Sequence, residues 1–141
     1  MKTVIKWVDG AMFVGETGSG HAVVMDGAPD GGGRNLGSRP MEMLLLGMGG
    51  CTGYDVVSIL RKARQPLERC EVTVEAQRAE EIPKVFTHIH VHYRLVGRGL
   101  DRATVERAIH LSTEKYCSAT IMLGRVAEVS HDYEISDATA P

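Results

Sequence analysis

At 141 residues, with 43% hydrophobic and 24% charged side chains, the chain has the size and composition of one soluble globular domain, residues 1–141. A formal net charge of −2 gives no electrostatic footprint for nucleic acid. The opening MKTVIKWVDG holds no apolar run of signal-peptide length, which points to the cytoplasm, and three cysteines there read as reactive thiols, not a disulfide framework.

In chain order, Lys2 to Val8 alternates around Val4 and Trp7 and predicts a strand, with Asp9-Gly10 as a hairpin signal. Met12 to Glu16 predicts the returning strand, Thr17 to Gly20 a turn, and His21 to Met25 a third strand, together an antiparallel meander. Asp26 to Leu36, DGAPDGGGRNL, predicts a flexible loop from its run of glycines.

Ser38 to Arg64, SRPMEMLLLGMGGCTGYDVVSILRKAR, predicts one long helix, with Ser38 as N-cap and Pro40 in the first turn, where a missing N–H costs least. From Met43 to Tyr54 no residue is charged. That run of 12 falls short of the roughly 18 needed to span a bilayer and predicts a buried core helix, with no membrane role. Gly47, Gly49, Gly50 and Gly53 each cost about 1 kcal/mol in a helix interior. Close approach of another backbone or of a substrate is the simplest compensation. Arg61, Lys62 and Arg64 suit the helix C-terminus, and Gln65-Pro66 stops it.

Leu67 to Ala79 alternates as a half-buried strand with Cys70 on its apolar side, the place of an inert core thiol. Glu80 to Lys84 predicts a turn, and Phe86 to Val96, FTHIHVHYRLV, a strand. Its His88, His90 and His92 share one face. Neutral imidazoles suit zinc, copper or nickel, but three in line along a strand do not converge on one ion unaided, and no carboxylate accompanies them at ligand spacing. A solvated polar sheet face is the expectation. Asp101 predicts the N-cap of a second helix, with Val105, Ile109, Ser112 and Tyr116 at helical spacing beside Cys117. Ser118 to Leu123 continues helically, Ala127 to Ile135 predicts the last strand, and Ser136 to Pro141 a frayed tail. The order β-β-β-α-β-β-α-β is α+β, largely antiparallel.

GMGGCTG lacks the G-x-G-x-x-G spacing, with Thr52 where the third glycine belongs, and no C-x-x-C is present. Taken alone, Cys51 is either a packing residue or a redox thiol. Arg39 and Glu42 are the ionisable groups upstream that could favour its thiolate. Arg39 lies twelve residues away, about 18 Å along a helix, so it would act only by folding back or across a dimer interface.

Pro40, a carboxylate close behind it, an apolar turn, and a cysteine eleven residues after the proline resemble the OsmC/Ohr family of thiol peroxidases. Cys117, in EKYCSATIML, falls where that family keeps its second redox cysteine, and the element order is similar over nearly the whole chain. The resemblance is to the branch with SRPMEMLL-type helix starts. It implies an OsmC-like α+β fold: an antiparallel meander, a long buried central helix, a second sheet segment and a second helix, assembled as an intertwined homodimer with active sites at the interface. It also implies reduction of organic hydroperoxides, with hydrogen peroxide as another substrate. Cys51 attacks and Cys117 resolves, an external dithiol is the reductant, and no metal or organic cofactor takes part. Arg39 and Glu42 complete the candidate site.

The family's best-known members place a glutamate directly after the proline and an arginine in the N-terminal sheet. Here Met41 follows Pro40, the glutamate comes one place later at Glu42, and no arginine lies between Met12 and Gly20. A one-residue shift turns a helical side chain by about 100°. These departures support a second reading, a non-catalytic dimer that binds a small apolar ligand or senses redox state. A third reading is metal binding through His88, His90 and His92.

Overall fold

Alternation in the first 25 residues folds as read. In the computed structural model, which describes residues 1–139, β1 (Thr3–Asp9), β2 (Met12–Thr17) and β3 (Ala22–Met25) form an antiparallel sheet in the order β1-β2-β3. Pairing runs from Thr3 opposite Thr17 to Asp9 opposite Met12, with an irregularity near Trp7 at the hairpin. These strands belong to the first of two compact units, Met1–Leu44; the second begins at Leu45. Ile5, Trp7 and Val8 of β1 remain exposed.

The segment after β3 is more ordered than its glycines predict, and the reason is Asp26. The residue is 1% exposed, and its carboxylate accepts hydrogen bonds from the backbone N–H groups of Gly27 (2.8 Å), Arg34 (3.1 Å) and Leu36 (3.2 Å). Gly33 crosses Gly27 so closely that a Cβ there would lie 2.0 Å from the Gly27 carbonyl oxygen. That glycine answers to packing, not to flexibility. A short 3₁₀ turn, Pro29–Gly31, and left-handed Gly32 (φ +83°) complete the fold of the segment.

The central helix, α1, spans Pro40–Lys62. The N-cap is Arg39, not Ser38: the Arg39 carbonyl accepts from Met43 N–H, while Ser38 carries on extended and bridges Met25. At the other end Gln65 N–H bonds the Leu60 carbonyl and Arg64 N–H that of Arg61, a Schellman closure with Arg64 left-handed at φ 57°.

In the second unit, β4 (Leu67–Arg78), β5 (Phe86–Gly97) and β6 (Glu128–Asp137) form a sheet with β5 in the centre. β4 pairs antiparallel with β5, whereas β6 pairs parallel to it. A parallel partner needs a crossover. It consists of α2 (Arg102–Leu111), a π-helical turn (Ser112–Tyr116) and α3 (Ser118–Leu123). Asp101 caps α2 as expected, its side chain accepting from Thr104 N–H at 2.8 Å. Ser136 and Asp137 belong to β6, not to a tail, while Ala140 and Pro141 lie outside the described residues.

Every fourth residue of α1, Met48, Thr52, Val56 and Leu60, is buried in the core, with Ile89, Val91, Tyr93 and Leu95 of β5 and Val105, Ala108 and Ile109 of α2. Gly49 and Gly53 give the helix its close approach to β4: a Cβ at either would stand 3.2 Å from Val74 or Val72 respectively. By length and composition α1 could cross a membrane, but these four positions pack against protein.

Burial by itself would raise the Asp26 carboxyl, but the three backbone donors prevail and hold it below the ordinary carboxylate range. A depressed folded-state value means that its stabilisation is present above that range and is lost as pH falls through it. Asp26→Ala is expected to speed amide exchange at Gly27, Arg34 and Leu36 at least tenfold at neutral pH, a gap that closes on acidification. Unchanged exchange at those three amides would contradict the anchoring role.

Candidate active site

Cys51 lies mid-way along α1, and Asp55 follows one helical turn later on the same side. Cys117 is the N-cap of α3, fully buried, where Thr120 donates to its sulfur from both N–H (3.4 Å) and Oγ1 (3.0 Å). The two sulfurs and an Asp55 carboxylate oxygen all lie within 4.8 Å of one another, and all three cysteines are free thiols. This spacing lies within reach of a disulfide after a small side-chain movement.

The π turn accounts for part of this convergence. In an α-helix, residues five apart point about 140° away from each other. The i→i+5 turn closed by Cys117 N–H on the Ser112 carbonyl (2.8 Å) puts Ser112 and Cys117 on the same side. It also carries Tyr116 out to 52% exposure, off the stripe that the helical spacing predicts.

Behind the thiols runs a buried line of hydroxyls. Tyr93 Oη is 2.6 Å from Thr52 Oγ1, Thr52 Oγ1 is 2.8 Å from Ser112 Oγ, and Ser112 Oγ donates to Asp55 Oδ2 at 3.1 Å. Each hydroxyl has one proton. Because the Ser112 proton goes to Asp55, that of Thr52 goes to Ser112 and that of Tyr93 to Thr52. All three therefore point toward the carboxylate. Burial first, with the neighbouring charges of Cys117, Cys70 and Asp55 adding to it, pushes the Tyr93 phenol up against the opposing Thr52 bond, so Tyr93 stays a donor at neutral pH. Burial, then the hydrogen bond with Cys51, pushes the Cys117 thiol up despite the bonds from Thr120. Cys117 therefore keeps its proton at neutral pH.

Of the residues singled out from sequence, Cys51 and Cys117 come together. Arg39 and Glu42, in the first unit, are engaged locally: Glu42 Oε2 accepts from Arg39 N–H at 2.9 Å, the reach-back half of a capping box, and the Arg39 guanidinium bonds Asn35 Oδ1. Cys70 sits half-buried on β4, where burial pushes its thiol up. Sequence reasoning missed Asp55, Thr52, Tyr93, Ser112 and Thr120. The Cys51–Asp55 separation of four residues was the one available signal. Two thiols and a carboxylate are also donors acceptable to zinc, though a closed tetrahedral site takes four.

The histidine face differs from its sequence reading in one respect: carboxylates do accompany it, from β6. Asp132 Oδ1 lies 3.0 Å from His90 Nε2 and 2.7 Å from His92 Nδ1, Ser130 Oγ bonds His90 Nδ1 at 2.7 Å, and Glu128 lies 3.3 Å from His88 Nε2. Parallel pairing in the register His88–Glu128, His90–Ser130, His92–Asp132 brings them there. The bonds from His92 and His90 hold the Asp132 carboxyl below its usual range.

Comparison with known proteins identifies the architecture. The OsmC-like protein family matches residues 31–132. The chain belongs to the OsmC/Ohr family. It is 46% identical over 138 residues to protein YhfA of Escherichia coli strain K12, covering 96% of this chain and 98% of that protein. A hypothetical protein from Aquifex aeolicus superposes with a TM-score of 0.85 at 29% identity, covering 97% of this chain and 96% of that one. The organic hydroperoxide resistance protein OhrB of Bacillus subtilis superposes with a TM-score of 0.61 at 18% identity over 94% of this chain and 96% of its own, a likeness of fold. Among the described residues, the two sheets and three α-helices are those of OsmC-like proteins.

Thr52→Val removes the middle hydroxyl of the buried line without changing its shape and leaves the Tyr93 hydroxyl without its acceptor. The expected loss is about 1–3 kcal/mol of stability by denaturant unfolding. Adding Tyr93→Phe should recover part of it; full additivity of the two losses would show that the hydroxyls are not coupled.

Proposed function

We propose that the chain is a cysteine-based peroxidase that reduces organic hydroperoxides, and hydrogen peroxide less readily, in the cytoplasm. The convergence of Cys51 and Cys117 within 4.8 Å carries this reading; family membership and the hydroperoxide-resistance proteins of similar fold support it. Cys51 is the half-exposed member of the pair and so the one a peroxide reaches. Its thiolate attacks one peroxide oxygen. The S–O bond forms, the O–O bond breaks, and the alcohol leaves with a proton; Cys51 is oxidised to a sulfenic acid and the hydroperoxide is reduced. Cys117 then condenses with the sulfenic acid, releasing water, and an external dithiol reduces the disulfide. Arg39 and Glu42 are assigned the entry of α1, where their bonds lie. The cycle needs no metal or organic cofactor.

Mild oxidation is expected to link Cys51 to Cys117 and leave Cys70 free in a peptide map. Cys51→Ser should abolish peroxide consumption with a dithiol reductant, and Cys117→Ser should allow one attack and then stop. Full turnover by Cys51→Ser would end the proposal. One observation favours a second reading, a redox sensor without turnover: the Glu42 carboxylate is spent on the helix cap and is not free to support a thiolate. A pair that oxidises once per protein but does not cycle with dithiol would select that reading.

The functional unit proposed is a homodimer. Leu46 and Tyr54 of α1 are 60% and 75% exposed, and Met122 and Val126 near α3 are 67% and 65% exposed. Uncovered apolar side chains on this scale suit a second copy of the chain. Sedimentation at micromolar concentration should give a dimer, and Tyr54→Arg should weaken it; a folded, soluble monomer of the unaltered chain would refute the assembly.

A further inference from the structure

We propose that Asp55 is the proton shuttle for formation of the Cys51–Cys117 disulfide. The inference deepens the peroxidase reading and rests on it for the oxidant, a hydroperoxide. Before the step, Cys51 carries S–OH and Cys117 carries S–H. The Asp55 carboxylate takes the proton from the Cys117 sulfur. The electron pair left on that sulfur forms the S–S bond at Cys51, and the Cys51 S–O bond breaks. The departing hydroxide takes the proton back from Asp55 and leaves as water. Sulfenic acid plus thiol gives disulfide plus water, and the carboxylate ends unchanged.

Three observations carry this assignment. One Asp55 oxygen lies within 4.8 Å of both sulfurs, a distance that one water spans, so a single group serves donor and leaving group. The carboxylate is held by Ser112, itself held by Thr52 and Tyr93, so its orientation is set by a chain of buried bonds. Cys117 has need of a base, because burial and the bond with Cys51 push its thiol up, and its own neighbour Thr120 offers only donors. Tyr93 on β5, at the far end of the hydroxyl line, is pushed up by burial and keeps its proton, while Glu114 and Lys115 of the π turn are exposed.

The test separates resolution from attack. In Asp55→Asn, sulfenic acid should form at Cys51 at nearly the normal rate, trapped by a cyclic dione and read by mass spectrometry. Disulfide formation should slow on the order of 100-fold, the scale of general acid–base catalysis. A second arm uses no peroxide. On a Cys70→Ser background, an aromatic disulfide reagent loads Cys51 as a mixed disulfide, and the second release of aromatic thiolate reports attack by Cys117. Asp55→Asn should slow that release similarly at neutral pH, and the gap should narrow as rising pH ionises Cys117 unaided. Ser112→Ala, which frees the carboxylate and leaves the Thr52 hydroxyl without its acceptor, should slow it by about tenfold with the same narrowing. Equal rates in Asp55→Asn and the unaltered chain, or slowing of equal size at every pH, would overturn the shuttle. Failure of peroxide consumption with a positive second arm would remove the peroxidase reading and leave the shuttle standing.

Discussion

The structure of the second unit depends on one buried line of hydrogen bonds, from Tyr93 through Thr52 and Ser112 to Asp55. It joins the central strand, the long helix and the crossover at the level of the two sulfurs. A polar group left unpaired in such a place costs about 1–3 kcal/mol, so the line holds as a whole or not at all. That requirement fixes the rotation of α1, because Thr52 and Asp55 must both face inward, and Cys51 is carried with them. The thiol position therefore follows from hydrogen-bond satisfaction as much as from apolar packing.

The π turn is the second constraint. A continuous α-helix from Arg102 would place Cys117 on a different side from Ser112. The extra residue in the turn reconciles the two demands: Ser112 must meet Asp55, and Cys117 must meet Cys51. Cys117 then becomes the N-cap of a new short helix, and its sulfur accepts from the Thr120 N–H as a cap does.

The legible part of the fold was the part encoded by local period. Alternation in β1 to β5, the cap at Asp101, and the apolar run from Met43 to Tyr54 all depend on neighbours within a few residues. Three features did not. The parallel docking of β6 is set by the crossover, so the meeting of His92 with Asp132, forty residues on, has no local signature. Asp26 reads as a loop residue, yet it is the anchor that orders the loop, because its three donors come from backbone, which has no sequence. The candidate site was half legible. The cysteines stood out by type, whereas Thr52, Ser112 and Asp55 are ordinary polar residues until the helix and the π turn bring them together. The shift of glutamate from position 41 to 42 has a local explanation as well: at 42 it sits three residues beyond the N-cap Arg39, where a carboxylate closes a capping box.

The four glycines of α1 divide in a way that bears on assembly. Gly49 and Gly53 lie one turn apart against Val74 and Val72, and their helix cost is offset by the close approach of helix to sheet. Gly47 and Gly50 meet nothing: a Cβ at either would stand in open space. Within a single chain these two glycines cost about 1 kcal/mol each and return nothing. Three residues apart, they lie on the same face as Tyr54, and Leu46 beside them is likewise uncovered. Small residues on an exposed apolar helix face are useful where another backbone approaches closely. In the proposed dimer that backbone is the partner's, and the same helix that orients Cys51 inward through Thr52 and Asp55 presents its glycine face outward to the second copy. Assembly and chemistry then share one element, and each constrains the rotation the other requires.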